Sequence, residues 1–442
     1  MSALSLELNK TAQDILRAND RGGYTVPSPR LYPFQWNWDS AFTALGWAAF
    51  DLARAWQELD TLFRAQRSDG MVPHIVFWRD DPGYFPSHAV WGTKGEPPAS
   101  GITQPPVAAS VVRWLYGIDR RRPAQDALAR LFPKLLRWHR WFFECRDPRG
   151  DALVTSIHPW ETGRDNAPEW DRPLAAMPQI EIPVYHRRDT DAVTARMRPR
   201  KQEYDHYLAL VAIAREGGWD QRQLAASGPF RVADLGTNLI LLRANRDLLA
   251  LAETLGDSGA GAQISGWIAG AEKALQSLWN EDAGAFCSRD QISGDFLGAL
   301  SNASFLPFYA GIGTAAQRRS LLRHLHAIAA QVRYLLPSLP PDDPHYERVR
   351  YWRGPVWTQM NFLTARGLAD CGESAWAQRI RGDTAALIEK SGFYEAFAPD
   401  DGEGTGGQDF SWTAAMWLHW ARAQDQASNQ AQARPKQQES TS

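Results

Sequence analysis

The sequence contains little cysteine and no excess of charge of either sign. Its 442 residues include three cysteines, which lie far apart and form no CxxC pair. Neither a disulfide framework nor a thiolate zinc site fits this pattern, which favours a reducing compartment. The 48 Lys and Arg residues nearly balance 50 Asp and Glu residues. The chain therefore lacks the basic field that binds nucleic acid, and we expect no nucleic-acid partner.

Long apolar runs and the common cofactor motifs are also missing. No stretch approaches the ~20 apolar residues of a membrane span. The first residues have neither the basic segment nor the apolar core of a signal peptide. We therefore expect a soluble, cytoplasmic protein without membrane contact. HExxH, GxxxxGK[ST] and a serine nucleophile elbow do not occur, which favours a mechanism without metal or cofactor.

Helical periodicity and tryptophan dominate what is present. The 20 tryptophans exceed what a core alone needs, because each buried indole must also place its N–H. Apolar residues at three- and four-residue spacing predict about twelve helices. These lie near 4–18, 39–66, 105–118, 124–145, 200–216, 231–255, 257–279, 299–310, 314–331, 354–371, 374–391 and 409–424. Strand-like alternation is best from Val72 to Phe77.

The helices are separated by long connectors rich in proline and glycine, where the aromatic residues concentrate. We predict an all-α single domain over residues 1–424, built as a closed double ring of helical hairpins. An elongated helical array is the competing arrangement. Residues 425–442 are rich in Gln and Ser, which predicts a disordered tail.

Asp39 lies in an aromatic cluster, LYPFQWNWDSAF, with Trp36 and Trp38 beside it. An Asp at a helix start often serves as an N-cap, which is one interpretation. The other is a sugar site. Indole rings stack on the apolar C–H face of a sugar while a carboxylate accepts hydrogen bonds from its hydroxyls, so that the two fix its orientation.

Carboxylates also accompany aromatic residues in residues 156–171 and 392–415. The first segment holds Glu161, Asp165, Glu169 and Asp171 beside two tryptophans. A solvated acidic loop is the simpler interpretation, but burial near the indoles would raise a carboxyl pKa as a general acid requires. In the second segment Glu395 stands among aromatic residues, whereas Asp400, Asp401 and Glu403 are typical of a surface turn.

Two such carboxylates on distant segments match what glycosidic bond cleavage needs. One protonates the leaving oxygen, and the other activates water or attacks the sugar directly. Smaller candidates for the same site are His74, Tyr84, Gln104 and the residues of RYWRGPVW, although core packing explains these too. Arg198 and Tyr204 lie in a locally basic stretch that suits a small anion or a solvated helix start.

Four motifs in order, QWNWDSAF, WETGRDN, YWRGPVW and FYE…GQDFSWTA, resemble glycoside hydrolase family sixty-three. The likeness runs from about residue 30 to 420 and is greatest to the short bacterial glucosylglycerate and mannosylglycerate hydrolases. It implies an (α/α)6 barrel that inverts configuration at the sugar. The long members carry an additional β-rich domain before the barrel, for which this chain has no room. We therefore expect a small substrate.

The resemblance implies Asp165 as general acid and Glu395 as general base. It also implies that Asp39 binds sugar hydroxyls and that further residues line the same pocket: Tyr32, Trp36, Trp38, His74, Tyr84, Gln104, Tyr351, Gly354, Trp357 and Gln408. Arg198 and Tyr204 are the candidates for the glycerate carboxylate, because an arginine fork suits a carboxylate. Arg164 and Ala167 depart from the expected acid motif, which bears on specificity.

These residues predict an inverting α-glycosidase that acts on a small-molecule glycoside, glucosylglycerate first and mannosylglycerate second. No metal or cofactor is expected, and a homo-oligomer is left open. The alternatives are a trehalase or another small-disaccharide α-glucosidase on the same barrel, and a non-catalytic carbohydrate-binding protein. A degenerate barrel of the latter kind would lack one of the two carboxylates, and here both are present.

Overall fold

The computed structural model describes residues 3–298 and 300–422, and the predicted tail at 425–442 lies outside them. Most of the secondary structure described is helical. The helices are α1 (Ala3–Asn19), α2 (Asn37–Trp47), α3 (Leu52–Leu62), α4 (His88–Trp91), α5 (Ala108–Ile118), α6 (Arg122–Cys145), α7 (Asp171–Ala175), α8 (Arg188–Ala192), α9 (Lys201–Glu216), α10 (Gln221–Ser227), α11 (Leu235–Leu255), α12 (Ser258–Ala274), α13 (Leu306–Ala310), α14 (Ala315–Ala329), α15 (Thr358–Asp370), α16 (Ser374–Ser391) and α17 (Ser411–Met416).

Short antiparallel strands lie in the connectors between the helices. They are β1 (Gln35–Trp36), β2 (Ile75–Val76), β3 (Val232–Ala233), β4 (Trp279–Asn280), β5 (Ala285–Phe286), β6 (Ser288–Asp290), β7 (Phe296–Leu297), β8 (Ala396–Phe397) and β9 (Gly404–Thr405). β1 pairs with β2, β4 with β5 and β8 with β9, while β6 lies between β3 and β7. The strand predicted near residues 72–77 corresponds to β2.

Six helices form a closed inner ring. In the order α2, α5, α11, α13, α15 and α17, each helix contacts the next, and α17 returns to α2. Every residue of α2 and of α17 is buried. A helix that is buried all round has neighbours on every side, as the inner position demands.

Six further helices form the outer ring. α3, α6, α12, α14 and α16 each follow an inner helix in the chain, and α1 packs against α17 to complete the set. Trp417 Nε1 donates to Asn9 Oδ1 at 2.8 Å, and Asn19 Nδ2 donates to Ser411 Oγ at 2.9 Å. These bonds join the two ends of the described chain. The (α/α)6 barrel predicted from the sequence is confirmed, and the elongated array is wrong.

One predicted helix is in fact two. The apolar spacing over residues 39–66 continues without interruption, but the chain turns at 48–51 and separates α2 from α3. Asp51 caps the second helix, because its side chain accepts the Arg54 backbone N–H at 2.9 Å. The helix predicted over residues 409–424 is only partly α-helical within its described part, 409–422, since α17 ends at Met416 and a π-helical turn follows at Trp417–Ala421.

The connectors differ in length at the two ends of the barrel. Those from an inner helix to its outer partner span 48–51, 119–121, 256–257, 311–314 and 371–373. Those that lead back to the next inner helix are far longer, such as 146–234 and 392–410. The long connectors therefore gather at the N-terminal ends of the inner helices. The positive ends of the inner-helix dipoles therefore face these connectors, which favours polar and negatively charged groups there.

The described residues include neither a candidate membrane span nor a candidate metal cluster. None of their helices is both long and apolar enough to cross a bilayer. No group of three His, Cys, Asp or Glu side chains in that part of the chain is arranged to hold a metal ion.

Candidate active site

Two adjoining pockets open at the end of the barrel that carries the long connectors. The inner pocket is lined by Trp38, Asp39, Gln104, Trp352, Glu395 and Trp412 among others, and the outer pocket by Tyr84, Phe85, Asp189, Arg198 and Tyr204 among others. Both are lined by Tyr32, Trp36, His74, Asp165 and Tyr351. These shared side chains form the boundary between the pockets. Twelve of the sequence-predicted residues, which lie far apart in the chain, line these two pockets. They are Tyr32, Trp36, Trp38, Asp39, His74, Tyr84, Gln104, Asp165, Arg198, Tyr204, Tyr351 and Glu395.

Asp165 lies at the boundary of the two pockets, and its pKa is unusual. Burial raises the pKa of this carboxyl to about 7, and the negative charge of Glu395 acts in the same direction. Arg198 and a hydrogen bond from Tyr351 lower it, but less than burial raises it. A carboxyl that is half protonated at neutral pH is suited to donate a proton.

The backbone around Asp165 is held from three sides. Tyr207 donates its hydroxyl to the Asp165 carbonyl at 2.9 Å, and Asn166 Oδ1 accepts the Trp352 N–H at 2.8 Å. Arg164 is buried and pairs with Glu169 and Asp234. Arg164 is not among the side chains that line either pocket. It fixes the segment that carries Asp165.

Glu395 lies in the inner pocket and is buried. Its Oε1 accepts the Tyr32 hydroxyl at 3.0 Å, and its Oε2 accepts the Gly407 N–H at 3.1 Å. Arg198 Nη1 reaches both oxygens, at 3.1 and 3.4 Å. These donors fix the orientation of the Glu395 carboxyl group in the inner pocket.

A glycine makes room for this carboxylate. A Cβ on Gly406 would lie 2.2 Å from Glu395 Oε2, and the φ angle of Gly406 is +74°. Both facts exclude an L side chain there without displacement of Glu395. Glu395 directly precedes β8 and Gly406 directly follows β9, so the pairing of these strands brings the glycine against the carboxylate.

Asp39 is the third carboxylate of the inner pocket. Burial raises its pKa well above the ordinary value, and the charges of Glu395 and Asp165 add to this. The N-cap interpretation is wrong: the N-cap of α2 is Trp36, and Asp39 lies inside the first turn. The side chain lines the cavity instead, where it is available to sugar hydroxyls.

Tryptophans wall the inner pocket. Trp38 lies 6.2 Å from Trp352 and 6.1 Å from Trp412, measured between ring centroids. Trp357 stacks behind Trp352 at 3.8 Å with the rings 2° from parallel. Trp357 is fully buried and donates its indole N–H to Ser338 at 3.1 Å. It supports the wall and does not line the cavity.

Two other predicted pocket residues also lie outside the two pockets. Gly354 packs against backbone, because a Cβ there would lie 2.3 Å from the Glu347 carbonyl oxygen. Gln408 lines a separate groove of about 540 Å³ on the far side of Gly406, and its amide donates to the Tyr394 hydroxyl. The structure thus places Gly354, Trp357 and Gln408 elsewhere than the sequence suggested.

The outer pocket is aromatic and carries a buried arginine. Arg198 Nη2 donates to the Tyr32 hydroxyl at 2.6 Å, and its guanidinium lies 4.3 Å over the Tyr351 ring. Tyr204 closes one side and stacks on Tyr185, and Tyr84 contacts Trp36 edge-on at 5.9 Å. The two pockets are narrow in this structure, with volumes of about 60 Å³ outside and 50 Å³ inside.

His74 and Gln104 supply neutral polar groups to the cavity. Burial lowers the pKa of His74 well below its usual value, with His158 adding to the effect, so the ring is uncharged. Its Nδ1 is buried without a hydrogen-bond partner. Gln104 Oε1 accepts the Trp38 N–H at 3.2 Å, which orients the amide.

The other carboxylates of the acidic cluster are structural. Glu161 is buried and pairs with Arg146 at 2.7 Å, Glu169 pairs with Arg164, and Asp171 pairs with Arg353. Of the four candidates in residues 156–171, Asp165 is the member that lines the pockets. Asp400, Asp401 and Glu403 form the predicted surface turn and pair there with Arg348.

Trp412, Trp160 and Asp189 line the pockets but were not among the predicted site residues, whereas Trp352 was a candidate as part of RYWRGPVW. Trp352 and Trp412 stand inside quoted motifs, so their type and position offered a signal. Trp160 was also visible in its motif; it stacks on His74 with 6.2 Å between ring centroids. Asp189 gave no signal, since it lies among arginines in a segment typical of solvated surface.

This arrangement agrees with comparisons to known proteins. The model of a domain described as "Mannosylglycerate hydrolase MGH1-like glycoside hydrolase domain" matches residues 32–413. The chain belongs to glycoside hydrolase family sixty-three. The resemblance inferred from four motifs is confirmed, and the protein is a glycoside hydrolase.

Relatives within the family cover nearly the whole chain. A mannosylglycerate hydrolase of Thermus thermophilus is 46% identical over 415 residues, which are 93% of this chain and 100% of the relative. A glucosylglycerate hydrolase of Mycolicibacterium hassiacum is 34% identical, with 94% and 97% covered. A crystal structure of a mannosylglycerate hydrolase from Thermus thermophilus in complex with Tris and D-glycerate superposes with a TM-score of 0.91, with 46% identity over 94% of this chain and 100% of that one.

Proposed function

We propose that this glycoside hydrolase is an inverting α-glycosidase that releases D-glycerate from mannosylglycerate or glucosylglycerate. Asp165 acts as general acid and Glu395 as general base. The sequence favoured glucosylglycerate. We now place mannosylglycerate first, because the mannosylglycerate hydrolase of Thermus thermophilus is 46% identical to this chain and the glucosylglycerate hydrolase of Mycolicibacterium hassiacum is 34% identical.

One observation supports this function above the others: the position of Asp165. It lies where the inner and outer pockets meet, whereas Glu395 belongs to the inner pocket alone. A sugar in the inner pocket with its aglycone in the outer pocket brings the glycosidic oxygen to the boundary. Asp165, with its pKa of about 7, protonates that oxygen. Glu395 then takes a proton from the water that attacks the sugar.

The chemistry of the two pockets supports the substrate class. Tryptophan faces and the carboxylate of Asp39 suit a hexose in the inner pocket. Arg198 and Tyr204 lie in the outer pocket, where a guanidinium binds a carboxylate of the aglycone by paired hydrogen bonds. An aglycone with one carboxylate, such as glycerate, meets this requirement.

A panel of four glycosides tests the proposal. We expect the protein to hydrolyse mannosylglycerate and glucosylglycerate with kcat/KM at least about tenfold above that for the corresponding glycosides of glycerol and for trehalose, since one charge-assisted contact is worth about that factor. Released sugar is measured for each, with the Glu395→Gln variant as background. Faster hydrolysis of trehalose, or hydrolysis of none of the four, would contradict the proposal.

A further inference from the structure

Asp189 is a buried carboxylate that the proposed mechanism does not use. Its Oδ2 accepts the Arg198 Nε–H at 3.0 Å and the Arg187 Nη2–H at 2.6 Å, and its Oδ1 accepts the Arg187 Nε–H at 3.0 Å. It lines the outer pocket with 14% of its side chain exposed. Burial raises its pKa, but Arg198 and Arg187 outweigh burial and lower it, so Asp189 is ionised.

Arg198 is shared between two carboxylates. Its Nε bonds Asp189 in the outer pocket, and its Nη1 bonds both oxygens of Glu395 in the inner pocket. The remaining nitrogen, Nη2, donates to Tyr32. Nη1 and Nη2 each carry two N–H groups, so an aglycone carboxylate is bound at the Nη1–Nη2 edge of this guanidinium while the bond from Nε to Asp189 stays in place.

The Arg198 backbone has one hydrogen bond that does not involve Asp189, because Arg350 Nη1 donates to the Arg198 carbonyl at 2.7 Å. Arg187 Nη1 donates to the Pro199 carbonyl at 2.7 Å, but the Arg187 guanidinium is itself held by Asp189. Removal of the Asp189 charge leaves the bond from Arg350 in place and frees one edge of the Arg198 guanidinium. Glu395 is then the carboxylate that still contacts Arg198, and the arginine is drawn toward the base.

We propose that Asp189 is a positioning residue, which holds Arg198 in the outer pocket so that it binds an anionic aglycone instead of closing onto Glu395. Asp189 would thereby set the preference for glycosides of carboxylic acids over those of neutral alcohols. This inference rests on the proposed function, because it assumes that Arg198 receives the aglycone carboxylate.

The test compares Asp189→Asn with the wild type on mannosylglycerate and on mannosylglycerol, which lacks the carboxylate. We expect KM for mannosylglycerate to rise about tenfold or more, as for loss of a charge-assisted contact, with kcat changed less than about threefold. Both constants for mannosylglycerol should stay within about threefold, since that substrate makes no ionic bond to Arg198. Inhibition by D-glycerate should weaken by the same factor as KM rises.

Two further variants separate charge from structure. Asp189→Glu keeps the carboxylate and should retain most of the preference for mannosylglycerate. Asp191→Asn changes a neighbouring acid that faces solvent and pairs with His186, and should leave both substrates unaffected. Equal losses on the two substrates in Asp189→Asn, or an unchanged preference, would overturn the inference. If the wild type hydrolyses neither glycerate glycoside, the proposed function fails instead.

Discussion

Asp165 and Glu395 are both carboxylic acids, and they have different surroundings. Glu395 accepts hydrogen bonds from Tyr32, Arg198 and the Gly407 N–H, which fix its orientation. Burial raises the pKa of Asp165 by more than Arg198 and Tyr351 lower it. The proposed mechanism therefore assigns the general acid to the carboxyl whose pKa is raised.

The raised pKa of Asp165 predicts how activity depends on pH. The general acid works in its protonated form, so the rate must fall as pH rises through the pKa. We expect the basic limb of kcat/KM to have an apparent pKa near 7, with about a tenfold loss per pH unit beyond it. A pH profile from 5 to 9 measures this. A rate that stays level up to pH 9 would show that Asp165 is not the acid.

Substitution of either carboxyl group tests the two roles separately. Asp165→Asn or Glu395→Gln should reduce kcat by about 10²–10⁴-fold, which is the usual contribution of a positioned acid or base. Each replacement is isosteric, so we expect helical circular dichroism to match the wild type. As a matched control, Asp400→Asn removes a charge from the surface turn and should leave kcat unchanged. Wild-type turnover in either active-site variant would remove that assignment.

Among the structural elements, the β8–β9 hairpin positions Glu395, the proposed general base. Gly406→Ala places a Cβ where Glu395 Oε2 now lies and forces an alanine to a φ of +74°. We expect kcat to fall about tenfold or more, because displaced catalytic groups lose much of their rate contribution. Gly266→Ala serves as the control, since its Cβ meets nothing and alanine is the better helix former. If both alanine variants turn over at the wild-type rate, the hairpin does not position Glu395.

At the scale of elements, the sequence predicted the helices better than their ends. Periodic apolar spacing identified α6 and α16 almost to the residue, because each buries one face along its whole length. The boundary between α2 and α3 was missed, since apolar residues continue across the turn. In the structure Asp51 caps the start of α3 and so marks where the second helix begins. The cap depends on side-chain geometry, which the spacing of apolar residues does not show.

The site was predictable where the motif residue itself reaches the cavity. Asp39, Asp165 and Glu395 do so, because each stands at the N-terminal side of an inner helix or in a long connector. Trp357 belongs to the same motif as Tyr351, but it lies at the start of α15, and its ring is placed behind Trp352 and outside the pocket. A motif records which residues occur together, whereas the direction of each side chain follows from the fold.

For the whole molecule, closure of the ring connects residues some 400 positions apart. α1 packs on α17 and buries Leu16, and its Asn9 accepts the indole N–H of Trp417 in the π-helical turn that follows α17. The proposal of one domain over residues 1–424 therefore implies that α1 unfolds together with the rest of the barrel.

Truncation of a buried leucine in α1 tests this. Leu16→Ala should lower the free energy of unfolding by about 2–5 kcal/mol, whereas Leu6→Ala, which is 53% exposed, should change it by less than about 0.5 kcal/mol. Urea unfolding followed by circular dichroism and by activity measures both. The two signals should move together in one transition. Separate transitions would contradict a single cooperative domain.

The most direct test of the central claim is the configuration of the sugar at the moment of its release. If Glu395 activates water on the face opposite the bond that Asp165 protonates, an α-glycoside must yield the β-anomer first. Proton NMR during the first minutes of mannosylglycerate hydrolysis distinguishes the two anomers before mutarotation mixes them. We predict β-mannose as the initial product; α-mannose as the initial product would contradict the mechanism.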